Sequence, residues 1–365
     1  MHKIKHLWAS VVDADNISKA IDMSSLGKRN HADVKKVLAN KKKYIGQVQN
    51  MLINHTFHPK PGSELIIYDK TAGKTRIIHR PRYWPDQVIH WTLMLPLSPI
   101  LKNSMYQYCC GSIPGRGTHL PTKYLQRVLK DDYKGTRYCF KFDIRKYYGS
   151  IPPDLMDAEM SRRIGDKDVL WLTREFIYLG IAIGYYTSQW FANIFLSRID
   201  WWIKQELKAR YYVRHIDDFV IIGPNKKELR KMRIKIFDRL NKELRLEIKD
   251  NWQIFKVGGN DYKGRKLSGR GIDFLGYVFY HGYTKLRKRT ALRVMRRSRN
   301  MVRNAQCARY VDAAAMMSYL GIIKHCDAHG LARKYIYEPL SVAKMKGVIS
   351  NEGKIRAGTY GRLYN

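Results

Sequence analysis

Residues 211–223 read YYVRHIDDFVIIG, two apolar runs meeting at Asp217 and Asp218, so a hairpin turn carrying paired carboxylates is the natural reading. Residues 140–151, FKFDIRKYYGSI, supply the counterpart. The run 138–142 (YCFKF) alternates with the period of a half-buried strand, and Asp143 closes it, so its carboxylate emerges at the strand's end. If the two strands are neighbours, Asp143 and Asp217 converge. They can then hold two divalent ions about 3.5 to 4 Å apart, the arrangement that clamps the attacking and leaving oxygens of phosphoryl transfer. A DD pair between strands is by itself an ordinary turn, because Asp caps its own backbone there. A third stretch shifts that balance: residues 184–195, GYYTSQWFANIF, lead from a glycine through Ser188 and Gln189 into the apolar run 190–196, a loop entering a helix and suited to close approach to a base pair.

Taken in chain order, 140–151, 184–195 and 211–223, the three stretches resemble motifs A, B and C of reverse transcriptases. Asp143 stands in motif A, and Arg214-His215-Ile216-Asp217-Asp218 is similar to motif C, normally Tyr-x-Asp-Asp. Residues 272–279 (IDFLGYVF) resemble the primer-grip hairpin, and Gly115-Arg116-Gly117-Thr118-His119 resembles a fingers segment of bacterial members. Most of the family carries Gln-Gly-x-x-x-Ser-Pro in motif B. This chain has Ile183-Gly184-Tyr185-Tyr186-Thr187-Ser188-Gln189, similar to the enzymes of diversity-generating retroelements. The likeness runs from about residue 65 to 337. His215 replaces the usual Tyr, and Lys249 matches the motif D lysine only loosely, so no role is assigned to it.

The resemblance implies an α+β right-hand polymerase: fingers over residues 1–135, a palm over 136–283 with an antiparallel sheet and packed helices, and a helical thumb over 284–365. It implies RNA-directed DNA polymerisation, error-prone in the diversity-generating type. Asp143 and Asp217 would hold two Mg²⁺ ions, the backbone carbonyl of Ile144 would complete the shell, and Asp218 would support the catalytic pair. In the fingers hairpin, Lys74 and Arg76 match the triphosphate contacts. Solvated hairpin charges are the plainer reading of both. Tyr148 matches the steric gate against ribose; one of Tyr147 and Tyr148 is a core aromatic, and strand alternation does not choose between them. Ile183, Gly184, Ser188 and Gln189 line the nucleotide site by analogy, and an aliphatic Ile183 cannot make the hydrogen bonds of the usual Gln. The implied partners are an RNA template, an RNA/DNA primer duplex, dNTPs and a small basic accessory protein. A retron-like or phage-defence enzyme, whose cDNA is the effector, would instead use a structured non-coding RNA. A non-catalytic RNA-binding protein with a degenerate polymerase fold is disfavoured by the intact acids.

Composition points the same way independently. With 68 Lys+Arg against 31 Asp+Glu, the chain carries a formal charge of +37, and the obvious partner is a polyanion bound in a salt-dependent manner. That charge is interleaved with 45% hydrophobic residues rather than confined to tails, which fits a folded core with basic faces. Arg287, Lys288, Arg293, Arg296 and Arg297 fall on one expected helix after residue 285, either a duplex grip or a solvated basic face. Another charged amphipathic helix is expected over 225–249, and a helical region over 154–178. The five cysteines show no paired spacing, and no membrane span or signal peptide is visible, so a cytoplasmic protein is expected. His325, Cys326 and His329 lack a second ligand pair for zinc. Too few acids follow residue 283 for a ribonuclease H site, and no endonuclease module is visible.

Overall fold

The structure, a computed structural model, describes residues 3–69, 73–303 and 310–359. The chain divides into two compact units, one of residues 1–117, 141–221 and 230–253, the other of 118–140, 222–229 and 254–365.

In the first unit, the N-terminal segments are helical because apolar residues recur at helical spacing, and one of them also has a side-chain cap. Asp13 is extended and accepts a hydrogen bond from the Asn16 amide at 3.0 Å, which starts the helix Ala14–Ser25. Its Ile17, Ala20 and Ile21, at helical spacing, are buried against the long apolar helix Val88–Ser104. Asn16 Nδ2 reaches the Thr92 carbonyl at 3.0 Å and fixes that packing. Strands β1 (Ser63–Asp69) and β2 (Lys74–Arg80) form an antiparallel hairpin, the one expected to belong to the fingers, with Ile66 opposite Ile77. Its tip, including Thr71 and Ala72, lies outside the described residues.

The central sheet contains β3 (Cys109–Cys110), β4 (Tyr138–Asp143), β5 (Tyr211–His215), β6 (Asp218–Gly223) and β7 (Gln253–Lys256), in the order β3-β5-β6-β4-β7. The two carboxylate-bearing strands β4 and β6 are therefore adjacent. The expected antiparallel sheet includes a parallel pair, because the chain runs from the edge strand β3 to β5 through helices and β4 rather than a hairpin, with Cys109 opposite Arg214. Alternation in β4 buries Phe142, which stacks on Phe219 of β6 at 4.4 Å between ring centroids. β6 does not alternate; Phe219 to Gly223 are buried on both faces.

Two helix expectations change. The helical region expected over 154–178 is two helices, Pro153–Arg163 and Lys167–Leu179, and Asp166 between them caps the second by accepting from the Val169 amide at 3.3 Å. The helix expected over 225–249 ends at Lys242. Arg245 then takes a positive φ of 54°, and the following residues run extended alongside the end of β4, with Ile144 bridging Ile248.

In the second unit, β8 (Gly259–Asn260) pairs β9 (Lys266–Leu267), and β10 (Ile272–Phe274), β11 (Tyr277–Tyr280) and β12 (Tyr283–Leu286) form an antiparallel meander. The Thr284 amide donates to Asp327 at 2.7 Å and the Gln126 side chain to the His325 carbonyl at 2.8 Å, tying the meander and the helix His119–Asp131 to the following helical segment. The arginine-rich helix Lys288–Arg303 buries Val294 and Ser298 and leaves Lys288 and Arg296 exposed. Cys109, Cys110, Cys139 and Cys326 are buried and in no disulfide; Cys307 lies outside the described residues. Among the described residues no helix is long and apolar enough to cross a membrane.

Candidate active site

Two backbone contacts bring the acids together. The Ile144 amide, next after Asp143, donates to the Asp217 carbonyl at 3.3 Å, and the Lys249 amide donates to the Asp143 carbonyl at 2.9 Å. Asp217 lies in the turn that joins β5 to β6, after Ile216, whose φ is +56°; Asp218 opens β6. Burial and the neighbouring Asp143 carboxylate push the Asp217 carboxyl up to about 7, while Lys249 opposes that shift. The Lys249 ammonium sits 2.5 Å from Asp143 Oδ2, and Lys141 sits 3.3 Å from Asp218 Oδ2.

Asp143 Oδ1 is buried and accepts no hydrogen bond. A crowded pair of carboxyl oxygens, one group resisting ionisation and the other with an unsatisfied buried oxygen, is a hard-donor set short of positive charge and fits a divalent cation. Among the described residues no group of three or more His, Cys, Asp or Glu side chains forms a metal site, so protein ligation here would come from these two acids and backbone oxygen such as that of Ile144.

The two tyrosines after Asp143 separate clearly. Lys146, at a φ of 46°, turns the chain into the short helix Tyr147–Ser150. Tyr147 is buried, and its hydroxyl donates to the Ala192 carbonyl at 2.5 Å. Tyr148 is half-buried beside the acids, its hydroxyl pushed up to about 12 by burial and by the Asp217 charge.

The motif B loop is organised by the fingers hairpin. The His79 amide of β2 donates to the Ile183 carbonyl at 2.8 Å. Gly184 has a φ of +119°, and a Cβ there would lie 2.0 Å from the His79 carbonyl oxygen, so the close approach it permits is to this strand. Ser188 is buried and accepts from the Ala182 amide at 3.2 Å, closing the loop onto the helix Tyr186–Phe195; Gln189, on that helix, is half-buried. Behind the loop, fully buried His90 bonds Thr187 at 3.0 Å and stacks on Tyr185. Lys74 opens β2, and Arg76 pairs with Ile67 on the same hairpin. Arg116 donates to the carbonyls of Tyr106, at 3.0 Å, and Lys102, at 3.3 Å, a structural tie for the end of the helix Val88–Ser104.

In the second unit, Arg287 is held by Asp273, and Arg297 pairs with Asp312 at 3.7 Å; Arg293 and exposed Lys288 and Arg296 share the helix Lys288–Arg303 with Arg297.

Sequence reasoning left Lys249, a loose match to motif D at the end of an expected helix, without a role, and gave Arg214 none beyond its place in the motif C stretch. Arg214 is fully buried in a bidentate ion pair with Asp200, at 2.7 and 2.6 Å. A signal for the latter was available: an arginine between apolar residues of a buried strand needs a partner acid.

The sequence profile of the reverse transcriptase (RNA-dependent DNA polymerase) family matches residues 59–279. The chain is 24% identical over 177 residues to a Schizosaccharomyces pombe protein described as an uncharacterized 91 kDa protein in the cob intron, covering 48% of this chain and 21% of that one. It is 24% identical over 298 residues to the Retron Ec73 reverse transcriptase of Escherichia coli, covering 77% of this chain and 89% of that one. Among solved structures, a telomerase from Candida tropicalis in complex with a fragment of telomeric RNA is 13% identical, with a TM-score of 0.47, over 86% of this chain and 57% of that one. The chain thus spans about a fifth of the yeast protein and just over half of the telomerase. Reverse transcriptase domains in general use divalent metal ions, in keeping with the crowded acids of this site. With well over half of its residues inside the matched domain, the chain belongs to the reverse transcriptase family and has that family's α+β right-hand polymerase fold.

Proposed function

We propose that this chain is an RNA-directed DNA polymerase that extends a primer with dNTPs on an RNA template, using Asp143 and Asp217 as the ligands of two Mg²⁺ ions. The observation that carries it is the joining of β4 to the β5–β6 turn by the Ile144 amide and the Asp217 carbonyl, which sets the two acids side by side. Bound Mg²⁺ would supply Lewis acidity at the primer 3′-hydroxyl and at the departing pyrophosphate. The protein supplies the rest. Asp143 and Asp217 hold oxygen ligands in place, with the Ile144 carbonyl beside them and Asp218 supporting them. Lys249 neutralises Asp143 until a cation is loaded. Tyr148 stands where a ribose 2′-hydroxyl would come, and Arg76 contacts the triphosphate from the hairpin together with Lys74, whose side chain lies outside what the structure describes. Ile183, Gly184, Ser188 and Gln189 shape the nucleotide pocket. Arg287, Lys288, Arg293, Arg296 and Arg297 grip the template–primer backbone, with residues 1–135 as fingers, 136–283 as palm and 284–365 as thumb. Five cysteines at no paired spacing in the sequence suit a cytoplasmic setting.

The aliphatic Ile183 favours an error-prone enzyme of diversity-generating type, working with a small basic accessory protein. The retron relative, alignable over 77% of this chain, favours the second reading, a retron-like enzyme copying a structured non-coding RNA, with phage defence as its use. Primer extension on an RNA template tests the core of the proposal. Asp143→Ala and Asp217→Ala should each abolish Mg²⁺-dependent dNTP incorporation and leave duplex binding intact; extension at the wild-type rate by either variant refutes it. Sequencing the nucleic acid that co-purifies from the native host separates the two types.

A further inference from the structure

The turn that presents Asp217 is strained, and one buried side chain holds it. Ile216 is a β-branched residue in the left-handed region, which such residues avoid. Its amide donates to the Cys110 carbonyl at 3.0 Å, and its carbonyl accepts from Arg214 Nη1 at 2.6 Å. Arg214 and Asp200 are both fully buried. Asp200 grips the guanidinium through Nε at 2.7 Å and Nη2 at 2.6 Å, and also accepts from the Tyr212 hydroxyl at 2.6 Å. Asn193, on the helix Tyr186–Phe195, accepts from Nη1 at 3.3 Å through its side chain and from Nη2 at 3.2 Å through its carbonyl.

The guanidinium has five donors in a rigid planar fork. Asp200 and Asn193 fix that plane, and the remaining Nη1 proton points at the Ile216 carbonyl. A buried ion pair of this kind is weak evidence of stabilisation, since apolar replacements of similar volume commonly do as well or better. Its geometric consequence is specific: it ties the motif B helix and the helix Ser197–Gln205 to the turn that carries Asp217.

We infer that Arg214, clamped by Asp200, is a positioning residue that holds the Ile216 turn and thereby sets the affinity of the Asp143–Asp217 pair for divalent cations. The inference rests on the proposed role of Asp217 as a metal ligand. Neither Arg214 nor Asp200 touches substrate; both act through the backbone.

The test compares wild type with Arg214→Lys and with the apolar double variant Asp200→Leu/Arg214→Met, using Asp217→Ala as reference. Three readouts are taken: melting temperature, Mn²⁺ affinity of the nucleic-acid-free protein by electron paramagnetic resonance, and hydrogen exchange at the Ile216 amide. Both variants should bind Mn²⁺ about ten- to hundredfold more weakly, the range typical of lost outer-shell support, and exchange the Ile216 amide at least tenfold faster. The double variant should do so while melting within a few degrees of wild type. In primer extension, kcat should fall while the KM for the template–primer holds. Wild-type exchange and Mn²⁺ affinity in the folded double variant overturn the inference, and if that variant fails to fold, the same result in Arg214→Lys does so. Wild-type Mn²⁺ affinity in Asp217→Ala overturns the metal-ligand reading instead, and the exchange rate at Ile216 then decides on its own whether Arg214 holds the turn.

Discussion

Replacing Asp217 with Asn should stabilise the metal-free protein, by an amount that depends on pH. In the folded chain, burial and the Asp143 charge raise the Asp217 carboxyl from an ordinary 3.8 to about 7. A raised carboxyl contributes stability fully present below the unfolded value and lost as pH rises through the folded value, because the unfolded chain ionises first. The loss builds from about pH 4 to pH 7 and then levels off. At about 1.4 kcal/mol per pKa unit, its ceiling is about 4 kcal/mol, of which about 2 to 3 kcal/mol accrues between pH 5 and 8. Asn carries no such penalty. The melting temperature of Asp217→Asn should therefore exceed that of wild type in EDTA, by a margin that widens by about 3 to 4 °C from pH 5 to pH 8. Excess Mg²⁺ should close much of the gap by stabilising wild type preferentially. Differential scanning fluorimetry across that pH range is sufficient. A margin that stays flat with pH, or an Asn variant that melts below wild type at pH 8, refutes the account of a crowded carboxyl pair.

Lys249→Met should leave the acids without their internal cation, so the rise in melting temperature on adding Mg²⁺ should exceed that of wild type; an unchanged rise would show that the 2.5 Å contact does not compete with metal. Tyr147→Ala should destabilise by about 3 to 5 kcal/mol, read from a urea titration, because it empties a buried site and strips the Ala192 carbonyl of its partner. Tyr148→Ala should fold normally and admit ribonucleotides more readily in competition with dNTPs; the opposite pattern would exchange the two assignments. Gly184→Ala, with its Cβ 2.0 Å from the His79 oxygen, should displace the fingers hairpin and raise the KM for dNTPs several-fold, which steady-state kinetics can exclude. Ile183→Gln should reduce misincorporation about fivefold opposite template adenine, for a restored hydrogen bond of about 1 kcal/mol, and deep sequencing of the cDNA would reveal an unchanged spectrum.

The acids were legible because each ends a segment with its own periodicity. Alternation marks β4 up to Asp143, and two apolar runs interrupted by Asp217 and Asp218 mark the hairpin, each signal contained in its own short stretch of chain. The order of the three motifs did the rest, and the family followed. What the chain does between Lys242 and Asp250 was not legible. Charged residues at helical spacing read on as helix through Lys249, but the chain turns at Arg245, and pairing with the end of β4 draws the next segment out extended, bringing the Lys249 ammonium onto an acid 106 positions away. Arg214 looked like one polar residue in a strand, and Gly184 like a device for approaching a nucleotide. The first is buried because Asp200 comes from a separate helix, and the second is obligatory because the His79 carbonyl comes from the fingers hairpin. Periodicity and turn chemistry act between neighbours in sequence, so the sequence by itself determined the strands, the turn and the chemistry of their ends. Ion pairing and backbone approach act between neighbours in space, and only the tertiary structure decided which distant residues those would be.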